Sequence, residues 1–312
     1  FSARDSPALS PRLPRRRLQE LAGLNGMYHL NGLLTVCGQD LVYTPDEAPA
    51  QPFTVKNAVA DSRKTMVGIG TKILIFPDKV AFDTADGSAA PLGAAWEAGS
   101  LSVSFAPCDA SGNTYEVKDK GTKEPEHPQD GQLFLKLNEP DKPYSAENTL
   151  EVYSEASGNW TVIPLDYCLV TAEGIGAEFR VWDTVTLTGT GAEQAGQWAG
   201  LDGDRIVYDA GTDALRVKAD PGGEWFYGRL TRTGAAVRWV SLDGSVRREF
   251  VSAETVRLER RVPDMDYLTE CDNRIWGCSS KENVIYACKL GDPTNWFSYR
   301  GIAADSYAVT VG

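Results

Sequence analysis

The sequence predicts an all-β protein: β-propeller-like meander units interrupted by an inserted small β-barrel domain. Three observations carry this. The composition, with 30 Gly, 17 Pro, eight Trp, twelve Tyr and ten Phe but only three Met, favours turns and strands over helices. Three segments share one grammar, in which a short apolar strand runs into a tight polar or glycine turn and a second apolar strand follows. Between the second and third lies a regular alternation of strand-like runs every 10 to 15 residues.

Taken in order, residues 1–22 form a basic, extended N-terminal arm. Pro7, Pro11 and Pro14 keep it extended, and Arg12, Arg15, Arg16 and Arg17 charge it before Gly23 and Gly26 end its modest helical character. These four arginines are either a solvated tail or a docking element for an acidic neighbour or phosphate. The opening residues are polar and lack the apolar core of a signal peptide.

Residues 23–100 hold the first propeller-like units. LNGLLTVCGQDLVYTPD reads as strand–turn–strand. KTMVGIGTKILIFPDKVAFDT reads as strands through Met66–Ile69, Ile73–Phe76 and Val80–Phe82, with Gly-Thr and Pro-Asp turns between them. Meanders of this size are the sequence form of propeller blades. Residues 101–261 are read as the inserted barrel-type domain. A polar, turn-rich stretch at 108–148 is either a long hairpin tip or a mobile loop, and the strand-like runs TLEVYSEASGNWTVIP, EFRVWDTVTLTG, DRIVYDA, ALRVKAD and AAVRWVSLD accompany it. Five or six such strands suit a closed or half-open barrel. Residues 262–312 return to the blade grammar, with strands at Tyr267–Glu270, Ile275–Cys278 and Val284–Cys288 and an Asp272-Asn273 turn. The last strand-like run, SYAVTVG, has no following partner, so the chain reads as continuing in a longer polypeptide or as an edge that a neighbour completes.

Charge and motifs narrow the function. No run approaches the roughly 20 apolar residues of a membrane helix. Net charge is -12, so the chain as a whole repels polyanions and is no general nucleic-acid coat. The six cysteines are too few for a disulfide scaffold, and Cys271, Cys278 and Cys288 lack zinc-knuckle spacing; all six read as reduced thiols. The two histidines, His29 and His127, sit in turn and loop sequence and offer no catalytic triad. Gly189-Thr190-Gly191 with Gly196 superficially matches a phosphate loop, but it leaves a strand with no helix pattern behind it and reads as a turn. Asp202, Asp204, Asp209 and Asp213 lack calcium-loop spacing. Trp182 and Trp239 fall in strand patterns and are expected to face the core. Trp198 and Trp225, in glycine-rich stretches, are the candidates for exposed aromatic contacts. No catalytic, metal or cofactor site is expected.

Three stretches are more specific than their physics requires: SPALSPRLPRRR, TMVGIGTKILIFPDKVAFDTADG and ECDNRIWGCSSKENVIYACKLGDPTNWFSYRGIAADSYAVTVG. Together they resemble a family of phage and prophage virion proteins encoded among neck and tail genes, similar to the podovirus tail nozzle, or packaged-DNA stabilising, family. The resemblance covers roughly residues 2–100 and 262–312; residues 101–261 match only in general character. It implies an arm leading into a β-propeller, often with an inserted β-domain, and several copies ringed beneath the portal. The implied partners are other copies of itself, the portal or adaptor and other tail proteins, and packaged DNA passing through without sequence-specific contact. The implied location is the virion, after folding in the host cytoplasm. A carbohydrate-binding or carbohydrate-cleaving β-propeller is the alternative.

Overall fold

A computed structural model describes residues 20–142, 147–195, 201–218 and 228–311. The chain is all-β, with a single four-residue helical turn, α1 (Ala192–Ala195), among the described residues. It divides into two compact units, residues 1–90 and 91–312.

The first unit is built from two four-stranded antiparallel meanders. β1 (Leu24–His29), β2 (Gly32–Cys37), β3 (Asp40–Pro45) and β4 (Phe53–Val55) lie side by side in sequence order; so do β5 (Thr65–Ile69), β6 (Lys72–Phe76), β7 (Val80–Asp83) and β8 (Ala89–Pro91). Tight turns set these registers. Gly38 and Gly70 open two-residue loops at φ of 58° and 57°, the left-handed region that matches the twist of the flanking strands. Alternate residues then face one core, where Leu34, Val36, Leu41 and Tyr43 of the first sheet meet Ile73, Ile75 and Phe82 of the second. Tyr43 and Phe82 pack with ring centroids 5.3 Å apart, and the Tyr43 hydroxyl donates to the Leu30 carbonyl at 2.9 Å. Lys64 and Asp78 pair at 2.6 Å with side chains almost wholly buried.

The second unit begins with β9 (Ala94–Glu97) and β10 (Ser102–Cys108). A separate small sheet follows from β11 (Lys120–Gly121), β12 (Leu133–Lys136), β13 (Thr149–Ser154) and β14 (Asn159–Val162). Then come β15 (Tyr167–Thr171), β16 (Thr184–Thr188), β17 (Gly203–Gly211), β18 (Ala214–Lys218), β19 (Gly228–Thr233), β20 (Ala236–Ser241), β21 (Val246–Val251) and β22 (Arg257–Arg260). These eight join β9 and β10 in one ten-stranded sheet of order β21-β20-β19-β10-β15-β18-β17-β16-β22-β9. Last, β23 (Tyr267–Cys271), β24 (Arg274–Cys278), β25 (Val284–Ala287) and β26 (Tyr307–Thr310) form another sequential four-stranded sheet.

The closed or half-open barrel of five or six strands expected at 101–261 is an open sheet here, whose end strands β21 and β9 do not pair among the described residues. β17 explains the larger strand count. It is nine residues long and carries a bulge between Val207 and Asp209. Its first half pairs with β16 and its second with β18, so it turns the corner between two portions of the sheet. Both portions supply one core: Val185, Leu187 and Leu258 from one, Phe105, Val170, Leu215 and Trp239 from the other. β9, N-terminal to residue 101, pairs with β22 and is an edge strand of this sheet. The stretch 108–148 contributes β11 and β12, and a second core of Val117, Leu135, Leu137 and Leu150 closes against Leu242.

Buried arginines tie the corners. Arg232, 2% exposed, donates through Nε to the Gly234 carbonyl at 3.0 Å, through Nη2 to Ser252 at 3.2 Å and through Nη1 to the Gly189 carbonyl. Arg274 donates to the carbonyls of Cys288 and Ala303, each at 2.7 Å, and its guanidinium lies over the Tyr307 ring. Buried carbonyls without such donors would carry a desolvation cost of about 1–3 kcal/mol each.

Candidate interaction surfaces

Arg12, Arg15, Arg16, Arg17, Trp198 and Trp225, the residues singled out for partner contact, lie outside the described residues. The remaining candidates are placed. His29 is exposed and pairs with Asp46 at 3.0 Å; His127 is exposed in the loop before β12. The four aspartates do not converge. Asp202 accepts from Thr190, Asp204 from Thr186 Oγ1 and Arg261, Asp209 from the backbone of Ala210, and Asp213 from the backbone of Gly174. Among the described residues no group of three or more His, Cys, Asp or Glu side chains is arranged to hold a metal.

The Gly189–Gly191 turn closes over protein. The Gly189 carbonyl takes Arg232, and Gly191 lies against Val237. The turn does lead into a helical turn, α1, where sequence reading expected none, but four residues do not aim a helix terminus at an anion. Cys108, Cys168 and Cys288 are buried, and burial pushes the first thiol up to about 12 and the last to about 11; Cys168 is raised as well. Cys288 accepts a backbone hydrogen bond from Ile275 at 3.1 Å. These thiols are inert core residues.

Trp239 is in the core as expected, but Trp182 is not: it is 38% exposed, because its backbone turns at φ 73° just before β16 begins. Sequence reading placed it inside a strand; that left-handed turn moves it off the alternation. Trp182 heads an aromatic ladder along the outer face of the sheet. Its ring meets Tyr208 edge-on at 5.0 Å, and Tyr208 meets Tyr167 edge-on at 5.2 Å. Arginines close both ends, with Arg300 stacked 3.9 Å over Trp182 and Arg216 at 5.3 Å over Tyr167. The Trp182 carbonyl also accepts from Asn295 at 3.0 Å, so the ladder fastens the 295–300 segment to the sheet. It is internal packing, with the Trp face already occupied.

A small cleft of about 160 Å³ lies where β10, β19 and β20 meet the loop after β10, lined by Tyr115, Glu116, Arg229 and Ser241. Tyr115 donates to Asp109 at 2.7 Å, and Glu116 pairs with Arg229 at 2.7 Å. Burial and the Asp109 carboxylate push the Tyr115 phenol up to about 12, which makes it a donor and not a base.

The sheet β23–β26 presents a different kind of surface. Its registers align Tyr267, Cys278, Ile285 and Val309 in one row across all four strands, and Thr269, Trp276, Ala287 and Tyr307 in the next. Tyr267 is 66% exposed, Val309 54%, Tyr307 42% and Ile285 39%. Trp276 and Tyr307 stack nearly parallel. On the opposite face Ile275 is fully enclosed and Met265 presses against Gly277, whereas Glu270, Ala308 and Thr310 on the outer strands are exposed. Ala287 in the second row is buried and Trp276 and Cys278 are half-buried, so what stands open is an apolar patch of Tyr267, Ile285, Tyr307 and Val309, the kind of patch that marks a contact surface.

No protein-family model matches the sequence, and no curated protein matches it. Among solved structures, that of AztD from Citrobacter koseri aligns over 93% of this chain and 90% of that chain, at 10% identity and a TM-score of 0.13, a likeness that carries no argument. The fold defines the class: an all-β protein whose β23–β26 sheet exposes an apolar patch among the described residues. No helix among the described residues is long and apolar enough to cross a membrane.

Proposed function

We propose that the protein is a structural component of a phage virion, a subunit of the tail or neck ring, nozzle-like, that docks below the portal and retains or conducts packaged DNA. In this reading the sequential four-stranded sheets are propeller-type blades, and the ten-stranded region with β11–β14 is the inserted barrel-like domain. The observation that carries it is the apolar face of β23–β26. Propeller blades stack face on face, so a blade with Tyr267, Ile285 and Val309 in the open needs a neighbouring sheet. The acidic balance of the chain suits a wall that DNA slides past, since phosphate contacts would add affinity and friction. The carbohydrate reading needs an open aromatic platform; Trp182 is capped by Arg300, and the exposed rings of Tyr267 and Tyr307 lie on the face assigned here to a neighbouring blade.

Light scattering and negative-stain microscopy of the protein, alone and with a portal ring, test the proposal. A ring, or assembly onto the portal, is expected. Tyr267→Glu with Val309→Glu should abolish it while leaving the melting temperature unchanged. A monomer that ignores the portal and gains thermal stability with a sugar would replace this reading with the carbohydrate one.

A further inference from the structure

The segment between β25 and β26 contains a loop that is tied to itself. Its ends meet where the Ser306 N–H donates to the Ser298 carbonyl at 2.9 Å. Inside it, one Asp305 carboxylate oxygen accepts the backbone N–H groups of Arg300 and Ile302, and the Asp305 N–H donates back to the Ile302 carbonyl at 3.0 Å. Gly301 turns the tip at φ 79°. A short loop with closed ends and internal hydrogen bonds is a compact body of its own. Just before it, Trp296 is wholly buried and donates to the Pro293 carbonyl at 2.8 Å, which fixes the root.

The tip is held down by Arg300, 3.9 Å over Trp182, by Arg274, which donates to the Ala303 carbonyl, and by the Leu290 N–H, which donates to the Ala304 carbonyl at 2.9 Å. Tyr299 is 52% exposed and Ile302 47%. The closed position leaves polar atoms unsatisfied. Ser298 Oγ, Asp305 Oδ1 and, at the root, Asn295 Oδ1 are buried without a hydrogen-bond partner, in residues no more than 4% exposed. Across the contact, Trp182 is held at φ 73°, a left-handed conformation that bulky residues rarely adopt. Dry polar atoms and a strained backbone weigh against the closed position, and the cation–π contact favours it.

From this balance we infer that residues 298–306 are a lid that lifts off Trp182 as one body, with Arg300 as its catch. Lifting returns the three stranded oxygens to water and lets the Trp182 turn relax. It also uncovers the face of Trp182, at the head of the row that continues through Tyr208 and Tyr167. The closed state shows what that face accepts: a cation, here the chain's own guanidinium, so the contact is self-blocking. The virion-ring reading neither requires the lid nor is required by it.

NMR relaxation dispersion tests it, because lid motions fall in the μs–ms range. The amides of Arg300 to Ala304 and the Trp182 indole N–H should report one common exchange rate, with the Trp296 indole N–H silent. Arg300→Ala should raise the open population by about tenfold, the worth of a partly desolvated cation–π contact, and leave the melting temperature unchanged. Ser298→Ala should lower the open population by about fivefold, because it deletes a hydroxyl that is unsatisfied only while the lid is closed. Unrelated rates at the lid and at Trp182 overturn the inference, and so do flat profiles in both the parent and Arg300→Ala. It also falls if Arg300→Ala leaves the open population unchanged. A Ser298→Ala variant that opens more would overturn it as well, since the hydroxyl would then be bonded in the closed state.

Discussion

Arg260 on β22 donates through Nη1 to the Asp183 carboxylate at 2.6 Å, an ion pair with both side chains more than nine-tenths buried. The same carboxylate accepts the backbone N–H of Arg180, and Arg260 reaches the carbonyls of Glu178 and Leu92. One guanidinium therefore ties the strand before the β23–β26 sheet to the turn that launches β16 and to the segment that leads into β9. Removing one partner of such a pair strands the other in a dry interior, at about 3–5 kcal/mol. Arg260→Met should lower stability by that order in urea melts. Adding Asp183→Leu should recover a large part of it, because the isolated charge is then gone; a double variant no better than the single would show that the carbonyl contacts, and not the ion pair, carry the cost.

Gly189 makes a second, sharper prediction. Its φ is 70°, and a Cβ there would stand 2.2 Å from the Thr255 carbonyl oxygen. The neighbour is backbone and cannot swing away, and the displaced turn would pull the Gly189 carbonyl off Arg232. Gly189→Ala should therefore cost several kcal/mol. Gly70→Ala has the same handedness (φ 57°) but open space around the added methyl, and should cost only about 1 kcal/mol. Equal losses in thermal melts would remove the steric argument.

Acid stability follows from two carboxylates. Burial raises the Asp109 pKa, but hydrogen bonds from the Tyr115 hydroxyl, the Asn113 side chain and the backbone of Asn113 and Ser111 outweigh it and hold the group at about 2, against an ordinary 3.8. At Asp243 burial is likewise outweighed, by Lys120, Ser241 and Ser245, which keep it well below the carboxylate range. A depressed folded-state pKa means the unfolded chain binds protons first as pH falls. The stabilisation is fully present above about pH 4 and is lost on the way down through pH 2. Asp109→Asn with Asp243→Asn should flatten the stability profile in that window. An unchanged acid limb would assign it to other carboxylates.

Thiol chemistry separates the cysteines. Cys271 is exposed at the β23–β24 turn, whereas Cys108, Cys168 and Cys288 are buried with raised pKa values. Alkylation near pH 8 should modify Cys271 first and the buried three only on unfolding. Stoichiometric zinc by elemental analysis, or early labelling of Cys288, would contradict this.

The meanders were legible because their turns are local. Asp272 and Asn273 both adopt left-handed φ, 53° and 58°, as the hairpin between β23 and β24 requires, and short polar side chains tolerate that conformation. The strand pattern from Met66 to Phe82 maps onto β5–β7 within a residue for the same reason. What escaped sequence reading is non-local. Nothing near Ala94 signals that it will pair with Arg260, and no local pattern marks the bulge at Tyr208 that lets β17 serve two neighbours. The apolar row Tyr267–Cys278–Ile285–Val309 is likewise invisible until the registers align residues from four strands. The buried arginines sit on strands that read as polar on one face, and only the corner geometry turns them inward.

The arm yields the last prediction. Arg12, Arg15, Arg16 and Arg17 give a local excess of positive charge on a chain of net charge -12, and Pro7, Pro11 and Pro14 favour an extended backbone. An arm already extended loses less conformational entropy on docking than a flexible one. Single exposed ion pairs contribute only about 0.2–1 kcal/mol, so the four arginines act collectively and are weakened by salt. Changing all four to Ser should leave the melting temperature of the isolated protein nearly unchanged and weaken its assembly onto a partner subunit, most visibly at low salt. A variant that fails to fold would make the arm part of the core. A variant that assembles like the parent at low and high salt would reduce the four arginines to a solvated tail, and docking would then rest on the β23–β26 patch.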